Sequence, residues 1–265
     1  MLYNAKCLTL KIDGVNMDCA VFGNGNKALV MLPGLSTRGV KGAALSLAYM
    51  YRIFARDYRV YVFDRKAIIP EGYTVADIAE DVAKGMNALG ISRADVFGVS
   101  QGGMIAQYLA INHPNLVRKL VLGVTLSRNN ETVRSVVGDW IRMAETGDYR
   151  SFVIDMFERM YSEAYLKRYR WLFPIFSRMG RPRDGVRFVR LAKACFTCDA
   201  YDKLDRIQCP TLVIGGRRDQ VVTGEASMEI AERLGCAVHM YDGLGHAAYE
   251  EAKDFNQRVL DFLTE

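Results

Sequence analysis

A serine set among glycines is the first feature of this sequence that could do chemistry. The stretch reads Gly-Val-Ser-Gln-Gly-Gly over residues 98–103. An apolar run precedes Ser100 and an amphipathic segment follows it, so the serine falls between a predicted strand and a predicted helix. A sharp turn at this point would expose the hydroxyl as a nucleophile. An ordinary glycine-rich turn is the alternative.

A serine nucleophile needs a base within hydrogen-bond reach, and histidine is the usual one. The chain has three histidines. His113 ends the helix that would begin after Ser100, about 19 Å away at 1.5 Å per residue, and is excluded. His239 lies within a predicted strand. His246 lies on the glycine-rich loop of GLGHAAYEE, and such loops reach over the strand ends where open α/β sheets bind ligands. We therefore predict His246 as the base.

An acid is needed to orient this histidine, and it should also follow a strand. Asp219 comes just after the apolar run TLVIGG, and we predict it in this role. Asp242, four residues before His246, and Glu131 are the alternatives. If Asp219 has no catalytic role, it would serve as a turn residue or a helix cap, since aspartate is common in both. Asp205 precedes its strand and is predicted at the opposite edge of the sheet.

Two backbone N–H groups should stabilise the oxyanion of such a reaction. The N–H of Gln101 would lie at a helix N-terminus, where unpaired donors and the helix dipole favour negative charge. Leu35, in the loop sequence LPGLSTRG, is the predicted second donor. An ordinary Pro-Gly turn is the alternative interpretation of this loop.

Alternating strands and helices are predicted to position these residues. Such alternation is typical of a doubly wound, mostly parallel sheet. The apolar runs predict strands at 8–12, 16–22, 28–34, 59–64, 94–100, 118–124, 211–216 and 237–243. Helical patterns lie between them at about 43–57, 75–89, 101–112, 225–234 and 249–263.

The interval from 127 to 205 contains no convincing strand and has helical periodicity. It is too long for a loop between two core strands, so we predict a helical cap insertion at 127–205 and a core formed by 1–126 and 206–265. Its aromatic residues are predicted mostly to form a small packing core for the cap; they are Trp140, Phe152, Phe157, Tyr161, Tyr165, Tyr169, Trp171, Phe173 and Phe176.

Charge is unevenly distributed along the chain. The net charge is +5, and residues 165–193 alone carry nine Lys or Arg against the single acid Asp184. This segment has two interpretations: a solvated helix face, or a positively charged entrance that attracts anionic substrates. No nucleic-acid-reading module is present, so we predict no nucleic-acid partner.

Composition favours a single cytoplasmic domain whose cysteines are reduced. No apolar run approaches the roughly 18 residues of a membrane span, and no signal peptide is expected. The six cysteines are scattered, as reduced thiols would be. Cys195 and Cys198 have the C-x2-C spacing, but a zinc site needs two more ligands, so we predict thiols within a helix. The expected state is a monomer or weak homodimer that acts on a small-molecule substrate.

Several motifs resemble those of the α/β-hydrolase superfamily over nearly the whole chain. They are LPGL (32–35), VFD (62–64), GVSQGG (98–103), HPNLVRKLVL (113–122), PTLVIGGRRD (210–219) and GLGHAAYEE (243–251). The resemblance implies an eight-stranded, mostly parallel sheet with a helical cap after the sixth strand. It also implies a catalytic triad of Ser100, Asp219 and His246, an oxyanion hole formed by Leu35 and Gln101, and neither metal nor redox cofactor.

The sequence departs from this family pattern at two loops. Many relatives carry His-Gly where this chain has Pro33-Gly34, so a side chain that helps to order the loop is missing. Many relatives also have a glycine-rich turn ending in serine after Asp64, where this chain reads RKAIIPEGYT. The backbone donor of the first loop is retained.

Three functions are compatible with these residues. The first is hydrolysis of a small, partly apolar ester, thioester or lactone through an acyl-enzyme. The second is carbon–carbon bond hydrolysis or cofactor-free perhydrolysis, because one triad supports all of these reactions. The third is a ligand-binding protein on a hydrolase scaffold, without turnover.

Overall fold

The computed structural model describes residues 2–265, excluding the side chains of Leu2, Phe176, Arg178 and Met179. Phe176 of the predicted aromatic set and Arg178 of the basic segment thus lie outside the described side chains. The strands are β1 (Lys6–Ile12), β2 (Val15–Phe22), β3 (Lys27–Leu32), β4 (Tyr58–Lys66), β5 (Ala94–Val99), β6 (Val117–Gly123), β7 (Thr211–Gly216) and β8 (Ala237–Tyr241).

These strands form one mostly parallel sheet. Its order is β1-β2-β4-β3-β5-β6-β7-β8. β2 pairs antiparallel with β1 and β4, and the remaining neighbours pair parallel. Every residue of β5 and of β7 is buried, as expected of continuous apolar runs covered on both faces. The predicted eight-stranded, mostly parallel sheet is confirmed.

Helices cover both faces of the sheet. They are α1 (Ala44–Met50), α2 (Val75–Ala88), α3 (Gln101–Asn112), α4 (Glu131–Thr146), α5 (Tyr149–Met160), α6 (Glu163–Tyr169), α7 (Phe173–Met179), α8 (Gly185–Cys195), α9 (Gly224–Leu234), α10 (Ala248–Glu251) and α11 (Phe255–Thr264). Among residues 2–265, no helix is both long and apolar enough to cross a bilayer.

Two predicted helices differ from the observed ones. The helix predicted over 43–57 ends at Met50, and a short 3-10 turn follows at Arg52–Phe54. The helix predicted over 249–263 is interrupted because Ala252 adopts extended backbone (φ −77°, ψ 117°). The redirected chain brings Phe255 into the core, where it is fully buried.

The segment between β6 and β7 is helical from α4 to α8, as the sequence predicts. Phe152 is buried at its centre, with its ring centroid 6.5 Å from that of Trp140 and 5.0 Å from that of Phe188, both edge-on. Such aromatic pairs add to the stabilisation that burial alone provides. Trp171 is an exception to the predicted packing core, since 73% of it is exposed.

Candidate active site

The backbone makes a sharp turn at Ser100, between β5 and α3. Ser100 has φ 54° and ψ −121°, a conformation that costs a non-glycine residue roughly 1–3 kcal/mol. The turn is held on both sides: the Ser100 N–H donates to the Gly123 carbonyl (2.8 Å) and Thr125 Oγ1 donates to the Ser100 carbonyl (2.7 Å). The serine is therefore fixed by the last residue of β6 and by Thr125 just beyond it.

The glycines around Ser100 are required by close backbone contacts. A Cβ on Gly98 would lie 2.4 Å from the Gly102 carbonyl oxygen, and one on Gly102 would lie 1.8 Å from the Leu32 carbonyl oxygen. These distances are far below van der Waals contact, so only glycine fits. The spacing noted in the sequence thus allows the first turn of α3 to pack directly against the end of β3.

The side chains of Ser100, His246 and Asp219 form a hydrogen-bonded chain. His246 Nε2 lies 3.0 Å from Ser100 Oγ, and His246 Nδ1 lies 2.8 Å from Asp219 Oδ2. The other carboxylate oxygen of Asp219 accepts the N–H groups of Val221 (2.8 Å) and Val222 (3.0 Å). His246 and Asp219 are both buried, so the carboxylate and the imidazole ring are held in one orientation away from bulk water.

The His246 loop is held from two directions. A Cβ on Gly216, at the end of β7, would lie 2.3 Å from the Gly245 carbonyl oxygen, so the loop packs directly on that strand. From the other side, the N–H of Ala247 donates to the Met160 carbonyl at the end of α5 (2.8 Å). The helical segment therefore contributes to the position of the histidine.

The two segments that carry the predicted oxyanion donors lie beside Ser100. Gln101 is the first residue of α3, and a helix leaves its first N–H groups without internal acceptors. A Cβ on Gly34, the neighbour of Leu35, would lie 3.3 Å from Ser100 Cβ. The loop carrying Leu35, residues 33–36, thus runs alongside the serine; we call it the oxyanion loop.

Arg65 is a residue of this region that no sequence motif predicts. It extends from the end of β4 and is only 6% exposed. Its Nη2 donates to the Pro33 carbonyl (2.5 Å) and to Gln101 Oε1 (3.1 Å). Burial lowers the pKa of the guanidinium to about 10, which still leaves it charged at neutral pH.

Arg187 of α8 is a second such residue. Its Nη2 donates to Asp64 Oδ1 (2.9 Å) and to the Arg65 carbonyl (2.9 Å), and its Nε donates to the Lys66 carbonyl (3.0 Å). This part of the basic segment is therefore not a solvated face but a largely buried contact between α8 and the end of β4. The only local signal was an unusual sequence after Asp64.

Two cavities flank the oxyanion loop. The first, of about 240 Å³, is bordered by Gln101 and by Arg38, Arg65 and Arg187, and Asp64 is the single acid among the described residues of its lining. The second, of about 200 Å³, is mostly apolar; its lining includes Met31, Leu35, Leu47, Phe97 and Tyr249. Three arginines thus border one space beside the loop, and mostly apolar side chains border the other.

The alternative residues lie elsewhere. Asp242 is exposed and pairs with Arg217 (2.7 Å), and Glu131 is exposed at the start of α4. His113 Nε2 lies 2.9 Å from Glu80, and His239 lies in β8 opposite Ile214. Asp205 lies in a 3-10 turn before β7.

The two cysteines of the C-x2-C stretch are free and buried. Cys195 ends α8, whereas Cys198 lies three residues beyond it, so the prediction that both lie within a helix is wrong for Cys198. Its N–H donates to the Cys195 carbonyl (3.2 Å), which closes the turn that follows the helix.

Fold and sequence together define the class of the protein. A family model described as the alpha/beta hydrolase fold matches residues 27–253. The chain therefore belongs to the α/β-hydrolase family, and it is a hydrolase.

Individual relatives differ in the reactions for which they are named. The chain is 29% identical over 255 residues to a 2-hydroxy-6-oxononadienedioate/2-hydroxy-6-oxononatrienedioate hydrolase of a Pseudomonas species, covering 91% of this chain and 89% of that protein. It is 27% identical to a putative carbamate hydrolase of Caulobacter sp. strain K31, covering 90% and 91%. The enol-lactonase of Burkholderia xenovorans LB400 has a similar fold, with a TM-score of 0.85 and 23% identity over 97% and 100% of the two chains.

Proposed function

We propose that this protein is a serine hydrolase that acts on a small, partly apolar ester, thioester or lactone. The observation that carries the proposal is the hydrogen-bonded chain from Asp219 through His246 to Ser100, with distances of 2.8 and 3.0 Å. A serine hydroxyl becomes a competent nucleophile when a base lies within this reach and a third group orients the base.

In the proposed mechanism, Ser100 Oγ attacks the acyl carbon while His246 Nε2 accepts its proton. Asp219 keeps the Nδ1–H of His246 in place and stabilises the imidazolium. The N–H groups of Leu35 and Gln101 stabilise the oxyanion. The leaving group takes the proton from His246, and water activated by the same histidine then releases the acid from the acyl-enzyme.

The apolar preference rests on the cavity of about 200 Å³ beside the oxyanion loop, which Leu35, Leu47 and Phe97 help to line. A space of this size favours a short acyl group. We further propose that residues 127–205 act as a cap over the core of 1–126 and 206–265. The free state of all six cysteines is in keeping with a reducing compartment such as the cytoplasm, and we expect a monomer or weak homodimer.

Carbon–carbon bond hydrolysis is the second candidate. The specific observation that favours it is the cavity lined by Arg38, Arg65 and Arg187, because guanidinium groups suit carboxylate ligands. The Pseudomonas relative is named for a dienedioate, which carries two carboxylates. An anionic substrate of that kind would place a carboxylate beside these guanidinium groups.

The test is a panel of p-nitrophenyl esters from acetate to decanoate, assayed with the wild type and with Ser100→Ala. We expect wild-type hydrolysis with an optimum at short chains and no hydrolysis above background by the variant. A rate no faster than that of Ser100→Ala on every ester would refute ester hydrolysis. Turnover of a vinylogous oxo-dienoate without ester turnover would favour the second candidate, and stoichiometric binding without product would indicate a binding protein.

A further inference from the structure

We propose that Arg65 is a positioning residue that holds the two oxyanion donors in register; the inference rests on the proposed function. A single nitrogen, Nη2, donates both to the Pro33 carbonyl (2.5 Å) and to Gln101 Oε1 (3.1 Å). Pro33 begins the oxyanion loop that carries the Leu35 N–H, and Gln101 carries the other N–H. The guanidinium thus joins the two segments from which the donors come.

The two segments need such a connection because they come from different strands. The oxyanion loop follows β3, whereas Gln101 follows β5 and opens α3. An oxyanion hole works only if both N–H groups are preset toward the position of the developing charge. A planar guanidinium has fixed donor directions, so it can fix the loop and the helix relative to each other.

Arg65 is itself held by α8. Arg187 Nη2 donates to the Arg65 carbonyl (2.9 Å), and Asp64 Oδ1 accepts both Arg187 Nη2 (2.9 Å) and the Arg65 N–H (2.7 Å). The same helix also holds the amide of Gln101, since Gln101 Nε2 donates to the Leu191 carbonyl (2.6 Å). The Gln101 side chain is therefore fixed from one side by Arg65 and from the other by α8.

Burying the charged side chain of Arg65 costs more free energy than a purely space-filling role would justify. Within the described part of the chain, its Nε is buried without a hydrogen-bond partner, and a buried charge is stabilising only when its surroundings compensate it. An apolar side chain would fill the same volume more cheaply. Its role in positioning Pro33 and Gln101 explains why a guanidinium group is buried at this position.

The test compares Arg65→Ala and Arg65→Lys with Arg190→Ala as the matched control. Arg190 also donates to a backbone carbonyl, that of Ile69 (2.6 Å), but does not contact the oxyanion loop. Each variant is assayed for kcat and KM on the best p-nitrophenyl ester and for its inactivation rate by a fluorophosphonate. In that reaction the Ser100 Oγ–P bond forms, the P–F bond breaks, fluoride leaves and the serine proton passes to His246.

We expect Arg65→Ala to lower kcat and the inactivation rate in parallel, each about 10- to 100-fold, while KM changes less than about threefold. The kcat and inactivation rate of Arg65→Lys should lie between those of Arg65→Ala and the wild type, because an ammonium group lacks the fixed donor directions of a guanidinium. Added guanidinium ion should restore part of the activity of Arg65→Ala alone, and Arg190→Ala should remain within about twofold of the wild type, since it touches neither donor segment.

Unchanged kcat in a folded Arg65→Ala, a loss confined to KM, or no rescue by guanidinium would overturn the inference. If Arg65→Ala does not fold, Gln101→Met serves instead, since it removes the acceptor of Arg65 on α3 but keeps the Gln101 backbone N–H. Wild-type rates in that variant would equally overturn the inference. A wild type that does not react with fluorophosphonate refutes the proposed function. A wild type and Arg65→Ala that react equally fast refute only the role of Arg65.

Discussion

Replacing Gly102 with alanine should separate the oxyanion loop from Ser100. The new Cβ would lie 1.8 Å from the Leu32 carbonyl oxygen and 2.6 Å from that of Pro33. Real Cβ atoms essentially never approach within 3.0 Å, so β3 and α3 would have to part by about 1.2 Å, the difference between these distances. Both contacts are with backbone, which cannot move aside as a flexible side chain can.

The size of the effect follows from this displacement. A misplacement of about 1 Å in a catalytic site can cost roughly 100-fold in rate, and overpacking typically costs about 1–3 kcal/mol of stability. Alanine in a helix recovers about 0.5–1 kcal/mol relative to glycine. We therefore expect Gly102→Ala to lose about 100-fold in kcat and to be destabilised by up to about 2.5 kcal/mol.

Ester turnover and urea unfolding of Gly102→Ala measure both effects. Gly138→Ala is the matched control, because Gly138 also lies within a helix, α4, and an added Cβ there would meet nothing within 4 Å. This control should keep wild-type kcat and gain up to about 1 kcal/mol. Wild-type kcat and stability in Gly102→Ala would refute the reasoning from close backbone contact.

Two further predictions concern the packing of the helical segment and the titration of the sheet edge. Phe152→Ala should lower the free energy of unfolding by about 3–5 kcal/mol, because it empties the space between Trp140 and Phe188; a loss below about 1 kcal/mol in urea unfolding would contradict this packing. His239 should titrate below 6.5 by NMR, because burial and then Arg258 lower its pKa. Below pH 6.5 the unfolded chain then binds more protons than the folded one. The contribution of neutral His239 to the free energy of unfolding is therefore present above pH 6.5 and is lost as the pH falls through the folded pKa. If His239→Gln left the dependence of the unfolding free energy on pH unchanged, this prediction would be contradicted.

The fold was predictable because its signals are local. Each core strand is an apolar run flanked by turn residues, and the predicted strand bounds differ from those observed by only a few residues. The interruption at Ala252 was not predictable, because Phe255 turns into the core through contacts that sequence periodicity does not encode. The same is true of Trp171, whose exposure depends on how α6 and α7 pack.

The candidate site was likewise predictable only in part. Ser100, Asp219 and His246 each follow a strand or lie on a glycine-rich loop, so the sequence singled them out, and the structure brings their side chains within hydrogen-bond distance. Arg65 was not found, because its partners Pro33 and Gln101 lie 32 and 36 residues away. No local pattern predicts a contact between the ends of three strands.

The most direct test of the proposed mechanism is peptide mapping by mass spectrometry after reaction with a fluorophosphonate. The wild type should carry one adduct, on Ser100, because Ser100 Oγ is the group within reach of His246 Nε2. Ser100→Ala should carry none, and His246→Ala should react at least about 1,000-fold more slowly. An adduct on another residue, or equal rates for the wild type and His246→Ala, would contradict the assignment of Ser100 as a histidine-activated nucleophile.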